Sequence, residues 1–165
     1  MGQALYLLTF AAALGSALMA GTFFAFSAFV MAALGRLPPE QGAAAMQSIN
    51  VVVLNPIFLG VFMGSAAIAT LVAALVIFGG ATPGASALLI GAALYVIGTF
   101  GVTIALNVPL NNGLAAIDVA SQAGAEIWRR YLVDWTFWNH IRTAAALLAT
   151  AAFIVGLSSA TEINR

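Results

Sequence analysis

No charged side chain occurs between Gln41 and Ile117, and the same holds for residues 1 to 35 and 143 to 161. Because about 20 consecutive apolar residues span a bilayer as a helix, this spacing of charge makes lipid the natural solvent of the chain. The total agrees: 6% of the 165 residues are charged, against roughly 25% in an average soluble domain. Five arginines and five acidic residues cannot clothe a small water-soluble domain, whose surface is large for its volume. A hydrophobic content of 63% excludes disorder, and zero net charge without a lysine excludes nucleic acid as a partner. The expected partner is the lipid bilayer, in a cell membrane crossed several times. The chain has no cysteine, which removes disulfides, thiolate metal sites, iron-sulfur clusters and cysteine nucleophiles. The first positive side chain is Arg36, and the apolar run before it far exceeds the roughly 7 to 15 residues of a signal-peptide core, so it is expected to be a span.

The pattern predicts an all-α fold, an integral membrane four-helix bundle forming a single transmembrane domain over residues 1–165. Spans are expected over about 3–34, 56–78, 85–106 and 136–157. Arg36, Pro38 and Pro39 stop the first. Glu40 to Asn50 reads as a short interfacial helix, with Ala43, Met46 and Ile49 on one side and Gln41 and Gln47 on the other. Asn55 before Pro56 pairs a good capping side chain with the residue favoured at the first helical position, starting the second span. Gly79 to Gly84 form a turn. Asn107 to Asn112, with Pro109 among them, are expected to end the third span. A polar amphipathic helix before the fourth carries Glu126, Arg130 and Asp134 at spacings of four on one face and Trp128, Tyr131, Trp135 and Trp138 on another. It is either continuous with the fourth span or bent near Asp134.

Four crossings put both termini on one side, opposite the two long connections. Arg36, Arg129, Arg130 and Arg142 belong to those connections and their flanks, whereas the tails hold only Arg165, so a positive-inside reading makes the connections cytoplasmic. Two stripes of small residues, Gly60, Gly64 and Ala67, and Gly91, Gly98, Gly101 and Ala105, are expected to let helix backbones approach closely.

Polar groups at membrane depth are few, and the topology gathers them at one end: Asn50 and Asn55, then Asn107, Asn111 and Asn112, then Asn139, His140 and Arg142. Desolvated polar groups need partners and tend to find one another. His140, the only histidine, is a candidate base, since imidazole titrates near neutrality. Arg142 with Asn107 or Asn111 could then stabilise developing negative charge. The structural alternative is interfacial anchoring and hydrogen bonding to loop carbonyls. Trp135 and Trp138, with Tyr131, Asn139 and Asn55 nearby, could wall a site for a small hydrophobic aromatic ligand; as a belt, the same aromatics would instead sit among lipid headgroups. One histidine and scattered acids give no metal-ligand spacing, and no phosphate loop, dinucleotide fingerprint or acyl-transfer triad is present. Metal and cofactor are both expected to be none.

The run Gly21 to Met31, then Arg36-Leu-Pro-Pro39 and Gln47 to Pro56, resembles the anthrone oxygenase family. So do Asn107-Val-Pro-Leu-Asn-Asn112, Trp128 to Tyr131 and Trp135-Thr-Phe-Trp-Asn-His-Ile-Arg-Thr143. The resemblance extends over nearly the whole chain. It implies a four-helix membrane protein of a family in which some members oxidise an anthrone methylene to a quinone carbonyl, and it marks Asn107, Pro109, Asn111, Trp135, Asn139, His140 and Arg142. The expectation is a cofactor-independent oxidation of a planar aromatic or other small hydrophobic substrate by O2, with His140 as base. The alternative is a noncatalytic membrane protein that binds or transports a small hydrophobic molecule or scaffolds a partner. Residue chemistry leaves the oligomeric state open.

Overall fold

The computed structural model describes residues 1–162, with side chains to residue 159; Arg165, which enters the orientation reasoning, lies outside the described residues. Four helices are long and apolar enough to cross a membrane: α1 (Gln3–Leu34), α3 (Pro56–Phe78), α4 (Ala85–Ala115) and α5 (Gln122–Glu162). A shorter helix, α2 (Pro39–Val52), joins α1 to α3. This is the architecture of a multi-pass membrane protein. Its outward face is apolar, with Leu7, Phe24, Ile97 and Leu147 all exposed.

The chain ends its helices where local chemistry demands it. Pro39 opens α2 at a position where a missing N–H costs nothing, and Glu40 in the first turn complements the helix dipole. Asn55 Oδ1 accepts from the backbone N–H groups of Ile57 at 3.1 Å and Phe58 at 3.0 Å, capping α3 ahead of Pro56. Its Nδ2 donates to the Val52 carbonyl at 2.9 Å, so one side chain closes α2 and opens α3. Gly84 turns the chain into α4 with φ +72°. A side chain there would be strained by that backbone and would meet Gly156 of α5, so glycine serves both the turn and the close approach.

One boundary differs from the sequence expectation, and one choice that the sequence left open is decided. Proline lacks the N–H that a helix interior uses and crowds the preceding carbonyls, which is why Asn107 to Asn112 read as the end of the third span. Instead α4 continues through Pro109 to Ala115, because the turn just before it, Thr103–Asn107, is π-helical. The wider turn re-routes the backbone hydrogen bonds around the proline. The fourth span and the polar helix before it form one unbroken helix of 41 residues, about 60 Å long and well beyond a hydrocarbon thickness of about 30 Å.

α5 runs antiparallel to α1 and α4, as its contacts record. On α4, Gly91 lies against Phe153, Gly98 against Ala145 and Asn107 against Trp135. Of the two small-residue stripes, the α4 stripe is used at Gly91 and Gly98. The Gly60 and Gly64 pair meets nothing within 4 Å, so these glycines close no helix contact within the chain. The core divides into two apolar clusters. One gathers Met19, Phe23, Phe62, Val72, Leu88, Tyr95 and Phe153. The other gathers Met31, Ala43, Met46, Leu114, Trp128, Tyr131 and Trp135.

Candidate functional site

Arg142 lies where the two clusters meet. Its guanidinium carbon is 4.1 Å from the ring centre of Phe23 and 4.8 Å from that of Trp135, one aromatic from each cluster. The residue is 5% exposed. Nε donates to Asn139 Oδ1 at 2.9 Å and Nη1 to Thr103 Oγ1 at 3.3 Å. No carboxylate pairs with it among the described residues, where the ion pairs are those of Glu126 with Arg129 and Arg130. Burying a guanidinium costs several kcal/mol. Two cation–π contacts return about 2 kcal/mol each when desolvated, and the two charge-assisted hydrogen bonds to neutral acceptors return about 1.5–3 kcal/mol each. These contacts offset the burial while leaving the positive charge without a counterion among the described residues.

Arg142 borders a cavity of about 330 Å³ between α1, α2, α3 and α4. Aromatic rings form its walls: Phe23 and Phe26 of α1, Phe58 and Phe62 of α3, and Trp135 of α5. Phe58 and Phe62 stack at 6.0 Å, and Phe26 tilts against Trp135 at 5.6 Å. Besides Arg142, the polar lining consists of amides and hydroxyls, with Gln47, Asn50, Asn111 and Asn112 on the side of α2 and the end of α4. A mostly apolar volume with a few convergent polar groups is the usual form of a small-molecule site.

The aromatic stripe on α5 is buried inside the protein. Trp128 stacks on Tyr131 at 5.7 Å and Tyr131 on Trp135 at 6.0 Å. Asn111 Oδ1 accepts both the Tyr131 hydroxyl and the Trp135 indole N–H, each at 2.8 Å. One amide oxygen therefore fixes the ring that walls the cavity. Asn50 Nδ2 donates to the Tyr131 hydroxyl at 3.4 Å, and Gln47 Nε2 to the Leu114 carbonyl at 2.8 Å, tying α2 to this end of the bundle. Trp138 is half-buried, packs edge-on against Phe137 at 4.9 Å and is not part of the cavity wall. The charge ladder is exposed and consists of Glu126 with Arg129 and Arg130; Asp134 is not in it.

His140 is exposed on the side of α5 that faces α1. It lines a shallow groove with Phe24, Ser27, Ala28, Thr143, Ala144 and Leu147, separate from the aromatic cavity. Its Nδ1 and Ser27 Oγ share a hydrogen bond of 2.9 Å. Asn139 connects the two regions: its Nδ2 donates to Ser27 Oγ at 2.7 Å and to the Phe23 carbonyl at 2.8 Å, while its Oδ1 holds Arg142. A hydrogen-bonded chain thus leads from the imidazole through Ser27 and Asn139 to the guanidinium. Asn107 is fully buried outside the cavity lining, donating to the Trp135 carbonyl at 3.2 Å, and its Oδ1 has no partner among the described residues. Asn55 caps α3 beside the cavity's outer edge at Leu54.

The structure therefore brings Arg142, Asn111 and Trp135 to the cavity itself, with Asn139, Tyr131 and Asn107 supporting them. His140, Trp138 and Asn55 lie around it. Sequence reasoning did not select Ser27 or Thr103, whose hydroxyls sit in π-helical turns, Phe26–Val30 and Thr103–Asn107. Such turns often accompany functional sites because they re-aim side chains out of helical register. Among the described residues there is no group of three or more His, Cys, Asp or Glu arranged to hold a metal ion.

A family model described as anthrone oxygenase matches residues 58–152. The matched stretch holds Asn107, Asn111, Trp135, Asn139, His140 and Arg142, whereas the motifs before Phe58 lie outside it. No curated protein and no solved structure matches the chain.

Proposed function

This chain belongs to the anthrone oxygenase family, and from that premise we propose that the cavity beside Arg142 binds a planar apolar ring system with an acidic methylene and holds its anion for reaction with O2. The observation that carries the proposal is the buried guanidinium on an aromatic cavity, with Nη2 free of protein acceptors and no carboxylate paired to it among the described residues.

Loss of a methylene proton from an anthrone leaves charge that the rings spread onto the carbonyl oxygen. A charge-assisted bond from Arg142 is stronger to that oxyanion than to the neutral ketone, so it favours ionisation and the transition state leading to it. Each pKa unit by which the bound ligand is acidified corresponds to about 1.4 kcal/mol of preferential anion binding. The carbanion carbon then forms a C–O bond with O2, and a proton completes the hydroperoxide. Loss of water leaves the quinone carbonyl. One oxygen atom of O2 ends in that carbonyl, and the other leaves in water with the two methylene hydrogens. Trp135, Phe23 and Phe62 confine the rings, and Asn111 holds Trp135 in place.

In this proposal His140 is a positioning residue. Through Ser27 and Asn139 it steadies the plane of the guanidinium; the methylene proton passes to water reaching the cavity at the exposed Asn112 edge, and the same water returns a proton to the peroxide. The alternative role for His140, direct proton acceptance, requires a ligand to reach past Asn139. The test is spectroscopic. Purified protein is titrated with an anthrone at a pH where the free compound is neutral; wild type is expected to shift the bound absorption to that of the anion, and Arg142→Met is expected to bind without the shift. A neutral spectrum on wild type contradicts the proposal.

A second reading, noncatalytic binding or transport of a small hydrophobic molecule, is favoured by one observation: the cavity lining holds no carboxylate or imidazole among the described residues. It predicts saturable binding with no oxygen consumption.

A further inference from the structure

The cavity has a mouth, and its composition says from which side it fills. Val51 and Leu54, at the end of α2 and in the connection to α3, line the cavity and are 72% and 66% exposed. Ile104 of α4 also lines it and is 52% exposed. Val52 and Ile57 flank the first pair and are exposed as well. All of these residues belong to the stretch from Gln41 to Ile117, which has no charge. The polar lining residues Gln47 and Asn111 are tied inward to the Leu114 carbonyl and to the α5 aromatics. At the rim of Val51, Leu54 and Ile104 the exposed side chains are apolar and the nearby amides of Gln47 and Asn111 are tied inward, the reverse of an opening built for water and the expected order for an opening built in lipid. The exposed amide of the lining, Asn112, lies at the end of α4.

We infer that the cavity takes its ligand sideways from the bilayer, through a lateral mouth framed by Val51 and Leu54 on one side and Ile104 on the other. This deepens the reading of the cavity as the ligand site and rests on it. It also narrows the ligand class. The molecule crosses the mouth uncharged and membrane-dissolved and acquires negative charge only inside, beside Arg142; flat rings with a weakly acidic C–H or O–H qualify, and permanently ionised acids do not. O2, itself more soluble in lipid than in water, shares the route.

The absence of native cysteine makes the test direct. Leu54→Cys and Ile104→Cys are each spin-labelled and reconstituted in phosphatidylcholine vesicles, with labels at Arg36→Cys and Asp118→Cys for comparison. Collisions with O2, which concentrates in lipid, are measured against collisions with a neutral nickel chelate, which stays in water. The inference predicts that O2 dominates relaxation at 54 and 104 and the chelate dominates at 36 and 118. Chelate-dominated relaxation at either 54 or 104 overturns it. Because the measurement needs no turnover, a protein that never consumes oxygen with anthrones but carries lipid-type labels at both positions keeps the lateral mouth and loses the oxygenase reading.

Discussion

Arg142 Nε donates to Asn139 Oδ1 at 2.9 Å, so the one charged side chain that borders the aromatic cavity among the described residues is oriented by a neutral amide three residues before it on α5. An amide directs the guanidinium without cancelling its charge. A carboxylate in the same place would do both.

Asn139→Asp is therefore expected to fold and to lose the preference for an anion, because Arg142 gains an internal counterion. Affinity for a weakly acidic ring compound bound as its anion, read by equilibrium titration, should fall about tenfold or more, equivalent to about 1.4 kcal/mol. Asn139→Ala should instead lower stability by about 1–2 kcal/mol, the range of an interhelical hydrogen bond in a membrane, because the Phe23 carbonyl, Ser27 and Arg142 all lose a partner. Unfolding in mild detergent distinguishes the two variants.

Trp135 and Trp138 lie three residues apart and should behave differently. Trp135 walls the cavity and touches the guanidinium, whereas Trp138 packs against Phe137 away from it. Trp135→Ala should weaken binding of a planar ligand by about 1 kcal/mol or more from lost ring contact. Trp138→Ala should leave affinity within about twofold, a change of less than about 0.5 kcal/mol. Intrinsic fluorescence quenching by the ligand, lost in the first variant and kept in the second, checks both.

The helix contacts give a stability prediction independent of function. A Cβ at Gly98 would sit 2.7 Å from the Ala145 Cβ, and one at Gly91 would sit 2.9 Å from the Phe153 ring. Gly98→Val should destabilise by about 1–3 kcal/mol, the usual cost of overpacking. Gly60→Val and Gly64→Val, facing open space, should leave the monomer's thermal unfolding unchanged.

His140→Gln should retain folding and most turnover, since a glutamine can also hydrogen-bond Ser27. His140→Ala should lower kcat with little change in KM as Arg142 loses alignment. Loss of all turnover in both variants, with folding intact, points instead to direct proton transfer by the imidazole.

What the sequence disclosed and what it concealed follow from the range of the forces involved. Charge-free stretches and the Asn55-Pro56 start are local signals, and the four apolar helices and the α3 cap agree with them. Pro109 concealed the continuation of α4, because a π-helical turn that accommodates a proline depends on neighbours outside the segment. Ser27 and Thr103 carried no signal, since hydroxyls in apolar helices ordinarily bond their own backbone four residues back. Residue type drew His140 and Arg142 into one hypothesis. Two residues on a helix point about 200° apart, and the structure puts one on an outer groove and the other on the cavity. Burial of Trp128, Tyr131 and Trp135 required α2 and the end of α4 to pack over them, a tertiary event that the stripe alone could not distinguish from an interfacial belt.

The most direct test of the account is oxygen consumption with an anthrone by purified wild-type protein and by Arg142→Met, each shown to be folded. The account predicts one O2 consumed for each quinone carbonyl formed by the wild type, and a loss of about 10²–10³ in kcat for the variant, the usual cost of removing an oxyanion donor. An Arg142→Met protein that turns over at the wild-type rate contradicts it.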